Sequence, residues 1–212
     1  MDLKRIQPRL RGWLHFGTAP LALLLGLWLT VVTPTEKLRA GVAIYTVSAV
    51  LLFGVSAAYH LGAGGPKTNA FLHRLDHANI YLFIAGCYTP LAVALSDYGV
   101  LLLSLVWTIA IIGTVIGVAW WTAPRWLVVG SYLALGWVAV LFLPVLWDAF
   151  GALVVVLIAV GGLLYSLGAV VYARKKPDPS PGWFGYHEIF HSFTVAAFLV
   201  QFAAITIAVG RG

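Results

Sequence analysis

His187-Glu188-Ile189-Phe190-His191 heads the last long apolar stretch of the chain. From Ser192 to Gly210 that stretch carries no charged side chain and no further histidine. Two imidazoles four residues apart share one helix face, with Cβ atoms about 6 Å apart, so both rings can reach one metal ion. A polar, metal-binding face on a segment headed into lipid is costly, which makes it a functional feature by default.

The rest of the chain has the same apolar character. Its 212 residues are 61% hydrophobic and 9% charged, with a mean hydropathy of +0.95. A soluble domain carries about 25% charge, so this is an all-α integral membrane protein. The lone cysteine, Cys87, excludes an internal disulfide framework and a CxxC site. A net charge of +6 would suggest nucleic acid in a soluble protein. Here the basic residues fall in short loops, so they report orientation, and no nucleic-acid partner is expected. The first apolar run lacks a small-x-small cleavage site and reads as a retained anchor.

Seven apolar runs approach the roughly 20 residues needed to span a bilayer. They are Trp13 to Val32, Ala40 to His60, Asp76 to Leu95, Val100 to Trp120, Trp126 to Leu143, Phe150 to Tyr172, and Gly185 to Val209. Turn and charge signals separate them, including Thr33 to Lys37, Gly62 to Lys67, Ser96 to Gly99, Thr122 to Arg125, Pro144 to Asp148, and Arg174 to Gly182. The expected architecture is a seven-transmembrane helix bundle forming one domain over residues 1–212, with a short tail at residues 1–12.

Lys4, Arg5, Arg9, Arg11, Lys67, Arg74, Arg125, Arg174, Lys175 and Lys176 fall on one side of such a bundle, against Lys37, Arg39 and Arg211 on the other. Ten against three places the N-terminus and its tail in the cytoplasm and the C-terminus outside. Gly113-x-x-x-Gly117 reads as a small-residue helix contact.

This topology brings several polar residues to one depth. His60 ends the second run. His73, Arg74, Asp76 and His77 lie at the start of the third, and His187 and His191 at the start of the seventh. Ser56 precedes His60 by one turn and shares its face. Five of the six histidines lie at this level, and His15 is set apart from them. Three neutral imidazoles plus water make an open tetrahedral metal site, and imidazole suits Zn, Cu, Fe or Ni. Zn2+ would lower the pKa of its water to about 7 and so supply a nucleophile. Asp76 would orient that water or take its proton, and Ser56 would hydrogen-bond Asp76, a ligand or a substrate oxygen.

Plainer roles exist for each residue: interfacial histidines for the His187/His191 pair, carbonyl capping for His60, a helix N-cap for Asp76, and back-bonding for Ser56. His187-Glu188-x-x-His191 also matches the metalloprotease pattern in which the glutamate is general base. No Asp, Glu or His follows His191, so a third ligand must come from upstream, and His60 is the candidate.

Ser56-x-x-x-His60, Arg74-Leu75-Asp76-His77, Tyr88-Thr89-Pro90 and His187-x-x-x-His191 together resemble the hemolysin III family. This is the bacterial branch of the progestin and adiponectin receptor family, and more distantly it is similar to alkaline ceramidases. Gly162 to Ala169 and Pro181 to Glu188 resemble the same branch, so the likeness covers nearly the whole chain. It implies a seven-helix protein of the bacterial inner membrane with Zn2+ near the cytoplasmic face. The ion would be bound by His60, His187 and His191, with Asp76 and Ser56 as the matching polar residues.

The function expected from this is zinc-dependent hydrolysis of a lipid amide or ester in membrane-lipid homeostasis, the lipid entering from the bilayer. The alternatives are a non-catalytic sensor of membrane state with structural zinc, a cytolytic or channel-like hemolysin, and an intramembrane protease using Glu188. Ionisable residues cluster at one end and are absent from the centres of the fourth to sixth runs, which argues against a wide aqueous channel.

Overall fold

The computed structural model describes residues 8–62, 64–120 and 122–211, so the expected tail charges Lys4 and Arg5 lie outside the described residues. The chain is helical: α1 Trp13–Val32, α2 Glu36–His60, α3 Pro66–Ala94, α4 Gly99–Ala119, α5 Arg125–Gly136, a 3-10 segment Trp137–Phe142, α6 Leu143–Arg174 and α7 Tyr186–Val209. Among the described residues, five helical stretches are long and apolar enough to cross a membrane: α1, α2, α4, the combined stretch from α5 through α6, and α7. Their outer faces carry large apolar side chains, such as Val100 (82% exposed) and Val31 (77%). An exposed apolar surface on this scale is suited to lipid rather than water.

Hydropathy marks the part of a helix that suits lipid, not the helix itself, and two boundaries move for that reason. α2 starts at Glu36 rather than Ala40, with the Thr35 side chain accepting from Leu38 N at 3.4 Å. α3 starts at Pro66, ten residues before the expected Asp76, with proline in its first turn, where the ring's fixed φ and missing N–H are no handicap. Asp76 is therefore inside a helix and is not an N-cap. His73 and His77 are helical as well, one turn apart, and His77 Nδ1 lies 3.0 Å from His73 O.

The fifth and sixth runs differ more. The expected break at Pro144–Asp148 is helical, because Pro144 falls in the first turn of α6. The break comes instead at Gly151, where φ 74° and ψ 172° interrupt the helix in a region open essentially to glycine. The Arg211 guanidinium donates to the carbonyl of Phe150 beside this break. Upstream, the α-to-3-10 transition is held by Tyr88, whose hydroxyl donates to Gly136 O (2.6 Å) and accepts from Ala139 N (2.9 Å).

Neighbouring helices pack as α1–α2, α2–α3, α3–α4 and α6–α7, and α7 also reaches α1 and α3. α3 is the least apolar of the long helices and is well enclosed, with Ala78, Asn79, Tyr81, Phe83 and Ala85 among its buried residues. A cluster of Tyr45, Phe53, Phe83 and Phe198 joins α2, α3 and α7, with Phe53 edge-on to Phe198 at 5.1 Å between centroids. Such aromatic contacts add to the burial of the rings themselves. Gly113 admits the Tyr81 ring: a Cβ there would lie 2.4 Å from Tyr81 Cε1.

α1 and α2 meet where Gly26 faces Thr46. A Cβ at Gly26 would lie 2.2 Å from Thr46 Cγ2 and 2.7 Å from Thr46 Cβ, so rotating the threonine cannot relieve the clash. Gly17, on the exposed face of the same helix, has nothing within 4 Å of such a Cβ. Gly26→Val is expected to destabilise the detergent-solubilised protein by about 1–3 kcal/mol through overpacking, while Gly17→Val stays near the parent. Thermal unfolding followed by size-exclusion chromatography checks the pair, and equal melting of the two variants would refute this packing.

Candidate metal centre

α2 ends at His60, where the chain turns through Gly62 at φ 73°. α7 begins at Tyr186, so His187 and His191 stand on its first two turns, on one face. Ligand nitrogens of His60, His187 and His191 all lie within 4.8 Å of one another. His60 Nε2 and His187 Nε2 are 3.1 Å apart. Two nitrogens bound to one tetrahedral zinc are separated by about 3.3 Å, so this spacing suits a shared ion. The donor set suits it as well: three imidazoles, with His191 buried at 2% exposure and its Nδ1 without a hydrogen-bond partner.

The other residues expected at the site are also here. Asp76 projects from α3 with Oδ2 3.7 Å from His60 Nε2. Ser56, buried one turn before His60, lines the same cavity as Asp76. Ser56, Asp76, His187 and His191 line a cavity of about 480 Å³ that continues past Tyr88 and Leu91 to Val140 and Val155. His60 stands outside that lining. His73 and His77 border the cavity but do not join the three-histidine group.

His15 was expected to stand apart and does not. It is 3% exposed, and its ring stacks on His191 with centroids 3.7 Å apart and planes 7° from parallel. The signal was present in the sequence. A tail on the same side as the other histidines puts the third residue of α1 at their depth, but no short motif flags His15.

Glu188 has a different employment from the protease pattern. It is 1% exposed, and its Oε2 accepts from Gly185 N at 2.8 Å, which caps the first turn of α7. Its Oε1 faces Arg11 Nε at 3.8 Å. Arg11 thus has a partner in the fold beyond any bias toward one side of the membrane. The segment before α1 is strapped to the loop before α7: Arg9 N and Leu10 N donate to Gly182 O and Trp183 O at 3.1 and 3.2 Å, and the Arg9 guanidinium lies 4.6 Å from the centroid of the Trp183 ring. Gly12 closes the strap against the site. Its φ is 85°, and a Cβ there would lie 3.0 Å from His60 Cβ.

The fold and the site define a class: a multi-pass helical membrane protein with a three-histidine centre, flanked by a carboxylate, at one end of its bundle. The comparisons identify the family. The haemolysin-III related family model matches residues 3–202. A hemolysin-3 homolog of Bacillus subtilis (strain 168) is 31% identical over 166 residues, covering 76% of this chain and 74% of the relative. Hemolysin-3 of Bacillus cereus is 30% identical over 166 residues, covering 76% and 72%. The chain belongs to the haemolysin-III family and is a multi-pass protein of the bacterial cell membrane.

Because Glu188 caps α7 and does not reach the histidine group, its variants should separate capping from metal binding. Glu188→Ala is expected to cost about 1 kcal/mol or more of stability through the lost cap, with bound metal per folded chain unchanged. Glu188→Gln, which keeps an acceptor for Gly185 N, should cost less. Loss of metal from folded Glu188→Gln protein would contradict this assignment.

Proposed function

We propose that this protein is a zinc-dependent hydrolase acting on an amide or ester bond of a membrane lipid. It would work as a single seven-span bundle with its N-terminus in the cytoplasm and its C-terminus outside. The observation that carries the reading is the convergence of three imidazoles from α2 and α7 beside Asp76, at a cavity lined largely by apolar side chains. Seven spans are reached when Gly151 divides the longest of the five apolar stretches into residues 125–150 and 152–174 and the 29-residue α3 is counted beside them. The orientation is supported by the uneven distribution of Lys and Arg between the two sides.

His60, His187 and His191 would hold the ion through their ring nitrogens. When bound, zinc would polarise the scissile carbonyl and make water more acidic. Asp76 would take the proton of the attacking water at Oδ2 and return it to the leaving amine or alcohol, as a general base and then a general acid. Ser56 would donate to Asp76 and so fix the orientation of that carboxylate. The water oxygen bonds to the acyl carbon, the C–N or C–O bond breaks, and a fatty acid departs with an amine or alcohol. The apolar cavity would take the acyl chain, with the lipid arriving from the bilayer. Glu188 Oε2 is engaged in the α7 cap and Oε1 faces Arg11 at 3.8 Å, which favours lipid hydrolysis over the protease pattern.

Elemental mass spectrometry of detergent-purified protein is expected to find about one zinc per chain, lost in His60→Ala and in His187→Ala. Absence of zinc, or its retention in His60→Ala, would break the shared site. With a panel of lipid amides and esters, Asp76→Asn should slow turnover about 10²- to 10⁴-fold while keeping zinc, and Glu188→Gln should stay near the parent. Bound zinc with no turnover on the panel would replace the hydrolase with a regulator in which the ion staples α2 to α7.

A further inference from the structure

His15 is a buried imidazole with neither ring nitrogen hydrogen-bonded. It is fixed between two other rings: face to face with His191 at 3.7 Å, and edge to face with Phe53 at 5.0 Å and 77°. It also borders the cavity. A phenyl ring would make the same stacking contacts without burying two polar atoms, and a buried polar atom without a partner is costly. The choice of histidine therefore points to a ligand for one of its nitrogens.

That ligand is not the ion held by the other three histidines. Imidazole lone pairs lie in the ring plane, and the planes of His15 and His191 are 7° from parallel, so their lone pairs do not converge on one point. His15 does not join the group whose nitrogens lie mutually within 4.8 Å. It sits instead one ring thickness from His191, beside the cavity. A neutral imidazole offers one N–H donor and one acceptor, and such a donor suits an oxygen or small anion in the cavity beside it.

We propose that His15 is a working member of the metal centre, its ring nitrogen donating a hydrogen bond to the small oxygen or anionic ligand that occupies the position left open by His60, His187 and His191. This assignment rests on the metal reading above and adds to it a fourth imidazole that binds the ligand rather than the ion.

The test uses the full-length protein in detergent, loaded with cobalt(II), with azide as the probe and the visible cobalt bands as the readout. The parent should take cobalt and shift its bands on azide addition. His15→Phe, which keeps a ring on His191, should hold cobalt like the parent but bind azide about 10- to 100-fold more weakly, the loss expected for a hydrogen bond to a charged group. His15→Gln, which retains an N–H donor, should recover much of that affinity, and its comparison with His15→Ala decides the matter should the phenylalanine variant not fold. Parent-like azide affinity in His15→Phe, azide binding by His15→Gln no better than by His15→Ala, or no azide binding by the cobalt-loaded parent would overturn the role of His15. A parent that takes no cobalt would instead remove the metal reading on which it rests.

Discussion

The approach of His60 to His187, with 3.1 Å between their ring nitrogens, is the constraint around which this end of the molecule is organised. It joins the end of α2 to the start of α7 across most of the chain. Once these helix ends meet, Gly12 must pass His60 without a side chain and with positive φ. The approach of α1 then lays His15 on His191. α3 brings Asp76 to the same end, packing against α2 and also reaching α7. Imidazoles enclosed by apolar helices need polar partners, water or an ion, since lipid offers no group to satisfy them.

The remaining helices answer a different demand. α5 and the 3-10 segment contribute few buried side chains beyond Leu135, Val138, Ala139 and Phe142. They are held by directional bonds: Tyr88 to Gly136 and Ala139, Trp137 to Ser166, and Tyr132 to the carbonyl of His77. This polar stitching leaves the cavity unfilled while fixing its wall. A close-packed wall of leucines would have stabilised the bundle by filling that space.

Much of this was legible in the sequence because lipid imposes a coarse rule. A span must be apolar for its length, so α1, α4 and α7 appeared with bounds close to those observed. Spacing carried the His187/His191 pair, and common depth linked it to His60, Asp76 and Ser56. The failures share one cause, reading a helix only where it is apolar. The polar first turns of α3 carry no hydropathy signal, which makes Asp76 look like a cap. Pro144 was read as a breaker when it opens a helix, while the actual break depends on the backbone freedom of Gly151. His15 was set apart because pattern reading follows neighbours along the chain, whereas its partners lie on α2 and α7. The capping of α7 by Glu188 was hidden behind a motif that assigns the glutamate another task.

The strap and the histidine centre also impose an order on biosynthesis. A ribosome delivers α1, α2 and α3 before α7, and domains form as their parts emerge. Through that interval Arg11, His15 and His60 are already made, while Glu188, His187 and His191 are not. The early part of the protein is therefore born with its most polar residues waiting for their final partners. Only the last hairpin, α6 with α7, supplies them, so a chain cut short before α7 exposes this mismatch to the quality-control machinery of the membrane.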